Sequence, residues 1–168
     1  MDNKKMTIID FVEHYTQVFG NHVFLREKIN NEWTETTFEQ TREMAHRIGA
    51  GLMALGLEKG DKVALLSQGR NLWVTGELGI LYAGGVNVPL SIKLTEAGDL
   101  LFRIQHSDAK YILRILGNCC SDAMIYLASE CWMRNSRSPA SVNLILSGTF
   151  TPPAYKIPNS PVTHKLRP

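Results

Sequence analysis

The run Gly56-Leu57-Glu58-Lys59-Gly60-Asp61-Lys62-Val63-Ala64-Leu65-Leu66 constrains this chain more than any other stretch. A helix stops at a glycine, a short turn carries Gly60-Asp61, and a continuously apolar strand begins. A strand with no polar face must be covered on both sides, as in a parallel sheet layered with helices. The following residues repeat the alternation, so the chain reads as α/β from this point on.

Upstream, Ile8, Ile9, Val12, Tyr15, Val18 and Phe19 recur at helical spacing, and Gly20 ends the run. His22–Lys28 and Glu32–Thr36 read as two strands of a small antiparallel hairpin around the turn signal Asn30-Asn31. Trp33 is expected to anchor that hairpin to the domain. Thr37-Phe38-Glu39-Gln40 has the form of a capping box. The helix it starts puts Met44, Ala45, Ile48, Leu52 and Leu55 on one face, and its Gly49 and Gly51 permit close packing on a sheet.

Lys62–Ser67 is the first core strand. Asn71 is positioned to cap a helix containing Leu72, Val74, Leu78, Leu81 and Tyr82, which Gly84-Gly85 ends. Trp73 fits either an exposed position or a packed one. Val86-Asn87-Val88 is a second strand, and Pro89 is expected to turn the chain out of it. Thr95 caps a third helix with Leu100, Leu101 and Ile104, and Lys110-Tyr111-Ile112 is a third strand. The order predicts an incomplete Rossmann-like βαβαβ parallel sheet unit, preceded by a helix and a hairpin.

The chain changes character near Leu113. Residues 1–114 hold 14 acidic and 13 basic side chains and one proline; residues 115–168 hold 2 acidic and 5 basic side chains, all three cysteines and six prolines. Met124–Met133 reads as a short helix and Val142–Leu146 as a strand, but the remainder has no period and is expected to be an irregular tail. Cys119, Cys120 and Cys131 fit neither a zinc site nor a redox pair. The near-balanced net charge of +2 gives no reason to expect nucleic acid as a partner. No run is long and apolar enough for a transmembrane segment or secretory leader, so a cytoplasmic protein is expected.

Taken together, the capping helix, the Gly56–Leu66 run, Leu81-Tyr82-Ala83-Gly84-Gly85-Val86-Asn87-Val88-Pro89-Leu90, Leu94-Thr95-Glu96 and Ser107-Asp108-Ala109-Lys110-Tyr111-Ile112 resemble the beginning of the AMP-forming adenylating enzymes. Within that group the chain is most similar to bacterial long-chain fatty-acid–CoA ligases, over about residues 7–112. The resemblance implies a reaction in two halves: a fatty-acid carboxylate attacks the α-phosphate of ATP, with Mg²⁺, and coenzyme A then displaces AMP. It also implies that the parts handling phosphate lie downstream of this stretch and are not carried by it. Residues 1–112 are therefore expected to be the N-terminal part of the AMP-binding domain, with 113–168 an aberrant or poorly ordered tail. No catalytic, cofactor-binding or metal-binding residue is assigned, and the chain alone is expected to be inactive. The alternative is a non-catalytic module that docks on a full-length ligase, with self-association through exposed sheet edges.

Several motifs bear on that expectation. Ser147-Gly148-Thr149 resembles the start of the family's phosphate loop, but Phe150-Thr151-Pro152-Pro153 follows, and prolines remove the backbone donors a phosphate cradle needs. Gly56-x-x-x-Gly60 lacks the lysine and hydroxyl of a P-loop and is read as a cap and turn; Gly84-Gly85 is read as a helix stop. His14, His22, His46, His106 and His164 include no pair at metal-binding helical spacing, and His46 and His106 are expected to be partly exposed on helices. Arg70 and Lys93 follow strand ends, where α/β proteins bind ligands, and are read as solvated loop charge. Finally, the codons for Cys131-Trp132-Met133-Arg134, read two nucleotides later, encode Leu-Asp followed by Ala or Glu. With the composition seam, this motivates the expectation that the coding frame is lost near Ile112; the alternative is a natural, divergent tail.

Overall fold

A computed structural model describes residues 6–93, 99–115 and 123–127, the last segment by its backbone. The elements in order are α1 (Ile8–Phe19), β1 (Val23–Ile29), β2 (Glu32–Thr37), α2 (Phe38–Ala54), β3 (Lys62–Ser67), α3 (Asn71–Tyr82), β4 (Val86–Leu90), α4 (Asp99–Ser107), β5 (Tyr111–Ile115) and β6 (Ala123–Leu127). The architecture is α/β: a sheet with three parallel strands and a fourth, antiparallel one, a small antiparallel hairpin and an N-terminal helix.

β1 and β2 pair antiparallel across Asn30 and Asn31, whose φ values are 50° and 68°. Both central residues of a type I′ turn need positive φ, which asparagine tolerates and which matches the twist of the strands. Phe24 of the hairpin stacks on Phe38 at 4.3 Å between ring centroids and reaches the cluster around Val12, Ala45 and Leu78. Trp33 does not anchor the hairpin. It is 63% exposed and lies beside the Arg26 guanidinium, because alternation along β2 puts it on the outer face.

Thr37 caps α2 as the sequence requires: its Oγ1 accepts from the Gln40 N–H and the Gln40 side chain accepts from the Thr37 N–H. Ala45, Ile48 and Leu52 are buried. Gly49 serves helix-on-helix packing rather than packing on the sheet. A Cβ there would come within 2.9 Å of the Gly79 carbonyl oxygen in α3, and one on Gly79 within 2.6 Å of Ile48 Cγ2. Gly56, at φ 89°, takes the left-handed position after the helix.

The four-stranded sheet has the order β4-β3-β5-β6. β3 pairs parallel with β4 (Val63↔Asn87, Leu65↔Pro89) and with β5 (Ala64↔Ile112, Leu66↔Arg114). Val63, Leu65, Tyr111, Leu113 and Ile115 face α2 and α3, while Ala64 and Ile112 face Ile104 of α4. The two crossovers thus leave β3 and β4 in opposite directions and on opposite faces, as a common handedness requires.

Three local expectations are corrected. Pro89 does not end β4, which continues to Leu90. The Val86 N–H donates to the Asp61 carbonyl at 2.8 Å, so alternate residues Asn87 and Pro89 point their backbone groups away from β3, toward the outer edge of the described sheet. A missing N–H costs no ladder bond there. β5 runs to Ile115 rather than stopping at Ile112, and Leu113 and Ile115 are buried in the core. Over Met124–Leu127 the expected helix is strand β6, which pairs antiparallel with β5 (Leu113↔Ile125). Thr95, the Val142–Leu146 strand and the rest of the tail lie outside the described residues.

Candidate functional site: the carboxyl edge of the sheet

In an open α/β sheet the crevice for ligands forms outside the carboxyl ends of the strands, where the winding reverses direction. Here the reversal falls between β3 and β5. The edge is built from Ser67-Gln68-Gly69-Arg70-Asn71 after β3 and from Ser91, Ile92 and Lys93 after β4. The N-terminus of α3 opens onto it, with free backbone N–H groups and a positive dipole end that suit an anion.

The chain supplies that anion itself. Glu27 of β1 has a side chain only 13% exposed, and its Oε2 accepts from Arg70 Nε at 2.9 Å and from the Asn71 N–H at 3.4 Å. Asn71 does not cap α3, contrary to the sequence expectation. The cap position is Arg70 with no side-chain cap bond of its own, and the Asn71 amide instead donates to Thr36 Oγ1 at 3.2 Å. Arg70 is likewise no solvated loop charge: it ties the hairpin to the sheet. Gly69, the one glycine of this loop, has nothing within 4 Å of where a Cβ would sit, so it marks no close backbone approach. Lys93 is exposed, as read from the sequence.

At the start of α3 the Asn71 N–H faces the Glu27 carboxylate, so an anion there would meet a like charge. An open groove of about 310 Å³ lies elsewhere, lined by Thr16–His22 and Glu39, and includes none of the carboxyl-edge residues.

The second polar cluster joins three helices. Arg42 Nε donates to both carboxylate oxygens of Glu13, at 2.7 and 2.9 Å, and Tyr82 Oη–H donates to Oε1 at 2.7 Å. His46 Nε2 lies 3.3 Å from the same oxygen, its ring edge-on to Tyr82. Burial raises the proton affinity of Glu13, but the bonds from Arg42 and Tyr82 outweigh it and hold the carboxyl below its ordinary value. Burial and the Arg42 charge push His46 down, while burial and Glu13 push the Tyr82 phenol up. A carboxylate already engaged by these donors is a clasp rather than a base. Local pattern gives no sign of it, since the partners stand 29, 33 and 69 residues from Glu13.

Of the other flagged positions, His46 is half-buried in the clasp and His106 is exposed, stacked on Phe102. His14 and His22 are exposed on and after α1, and Trp73 is half-buried against the main core. Gly60 and Gly84 have φ of 91° and 80°, as turn and helix-stop roles require. Among the described residues no three or more His, Cys, Asp or Glu side chains are grouped to hold a metal ion. Ser147-Gly148-Thr149, His164 and the cysteines lie outside those residues.

A family model for AMP-binding enzymes matches residues 12–150, continuing past Ile112. The long-chain-fatty-acid–CoA ligase FadD15 of Mycobacterium bovis is 28% identical over 89 residues, which cover 53% of this chain and 15% of that protein. ACSBG2 of Rattus norvegicus, also a long-chain-fatty-acid–CoA ligase, is 30% identical over 83 residues, 49% of this chain and 12% of that protein. The solved fatty acyl-adenylate ligase of Legionella pneumophila, in complex with acyl adenylate and pyrophosphate, superposes with a TM-score of 0.63 at 25% identity, over 67% of this chain and 20% of that chain. An acyl-CoA synthetase of Brucella canis superposes with a TM-score of 0.56 at 33% identity, over 62% of this chain and 19% of that one. The chain therefore spans less than a quarter of the length of each of these relatives.

Proposed function

We propose, from the premise that this chain belongs to the AMP-binding enzyme family, that it is the N-terminal scaffold of an ATP-dependent, AMP-forming fatty-acid–CoA ligase and is catalytically silent alone. The intact ligase would take a fatty acid, ATP with Mg²⁺, and coenzyme A. The observation that carries the silent half of this reading is Glu27. At the carboxyl edge the chain's own Glu27 carboxylate engages the Arg70 guanidinium and the Asn71 N–H at the start of α3, where it would repel a phosphate.

The test is pyrophosphate release by the purified chain with Mg·ATP, coenzyme A and fatty acids of graded length. Release should equal the protein-free background. Acyl-dependent release above it contradicts the proposal.

A second reading, a non-catalytic module docking on an intact ligase, is favoured by exposed apolar side chains on α4 and in the loop after β4. Phe102 is 62% exposed, and Leu101 and Ile92 are also exposed. Co-sedimentation with an intact ligase supports that reading, and its failure at high concentration removes it. Self-association through sheet edges belongs to the same proposal, although Pro89 leaves β4 a poor template for a new strand. No helix of the described residues is long and apolar enough to cross a membrane, and a cytoplasmic location is proposed. The division at Ile112, with a change of reading frame beyond it, is also a proposal. It rests on the composition seam, while the family match continues to residue 150. The nucleotide sequence downstream of codon 112 decides it, by whether another frame encodes the remaining ligase motifs.

A further inference from the structure

α1 carries its own cap and ring contacts, yet it is held to the body at few points. Asp10 N–H donates to Thr7 Oγ1 at 3.1 Å and Thr7 N–H donates to Asp10 Oδ2 at 3.0 Å, a closed capping box. Phe11, Tyr15 and Phe19 follow at four-residue intervals, with ring centroids 4.3 and 5.9 Å apart, a ladder internal to the helix. None of these contacts needs α2 or α3.

The attachment is narrow. Val12 is the one fully buried residue of α1, packed with Ile9 against Ala45 and Leu78, while Ile8, Phe11, Val18 and Phe19 face outward. The polar part of the seat is Glu13 with Arg42, His46 and Tyr82. Just after the helix the chain is pinned again: Glu39 N–H donates to the Gly20 carbonyl at 3.0 Å and Phe38 N–H to the His22 carbonyl at 3.2 Å. A moving α1 would therefore turn about Gly20, leaving the hairpin in place.

We propose that α1 is a releasable strap, which lifts from α2 and α3 about Gly20 when Glu13 loses its negative charge, uncovers a seat lined by Ala45, Leu78 and Tyr82, and frays once it is off that seat. The groups facing Glu13 are Arg42 and His46 from α2 and Tyr82 from α3; Glu39 acts on Arg42 from the start of α2. Glu13 and His46 both sit below their ordinary values of 4.5 and 6.5 in the folded chain. The seated form thus binds fewer protons than the released form, so its stability is complete above the ordinary His46 value. It declines as pH falls, first through His46 and then through Glu13. Acid opens the strap.

Hydrogen exchange read by mass spectrometry on the full chain tests this, with α2 and α3 as internal references. In Glu13→Gln at neutral pH, protection of α1 amides should fall about tenfold while α2 and α3 change by less than about twofold. In the parent, acidification should open α1 before α2. Tyr82→Phe, which removes one donor, should shift that opening to higher pH and serves if Glu13→Gln does not fold. The proposal is overturned if α1 is as protected as α2 in every variant, or if α1 opens only together with α2 and α3.

Discussion

The two faces of the sheet are built to different depths. On one, α2 and α3 cross at Gly49 and Gly79 and cover Val63, Leu65, Leu113 and Ile115, with Ile48, Leu52 and Ile80 fully buried between the layers. On the other, among the described residues, Ala64 and Ile112 meet Ile104 of α4 and Ala109, with Leu90 and Leu100 partly buried beside them, while Leu101 and Phe102 are exposed. Among the described residues the first face carries the larger core and the second a smaller one. Stability should therefore be concentrated in α2–β3–α3, and the α4 face is where further protein would add most.

The largest expected effect is on the face with the larger core. Leu65→Ala should cost about 4 kcal/mol and Gly79→Ala about 3 kcal/mol, the latter because its methyl would overlap Ile48, both read from urea unfolding. On the face with the smaller core Ile104→Ala should cost about 2 kcal/mol, because its site is shallow and collapses more easily. If Ile104→Ala costs as much as Leu65→Ala, the two faces are energetically equal and the comparison fails. Glu27→Gln, which weakens the tie between hairpin and α3, should cost about 1–2 kcal/mol and speed amide exchange in the first turn of α3. The smallest effect is at Phe102→Ser, within about 0.5 kcal/mol, with less light scattering at high concentration; a large loss of stability would mean that α4's outer side is already covered.

The same contrast separates what could be read from the sequence from what could not. Elements governed by neighbours along the chain were legible: the Thr37–Gln40 box, the Asn30-Asn31 turn, the left-handed Gly56 and the apolar β3 each depend on a few adjacent residues. Misreadings occurred where a partner distant in sequence decides. Asn71 looks like a cap, but Glu27, 44 residues earlier, takes its backbone N–H. Pro89 looks like a strand end, but its outward register at the sheet edge makes the missing donor harmless. Trp33 looks like an anchor until the pairing of β1 with β2 fixes which face it occupies. Met124–Leu127 has apolar residues compatible with either period, and pairing with β5 makes it a strand. Arg70 looks like solvated loop charge, but Glu27, 43 residues earlier, pairs with it and carried no local signal.

Equilibrium dialysis of the full chain against Mg·ATP tests most directly the claim that this is a scaffold whose carboxyl edge is closed to phosphate. The account predicts no saturable binding by the parent chain up to millimolar nucleotide. Saturable binding with a micromolar Kd would contradict it.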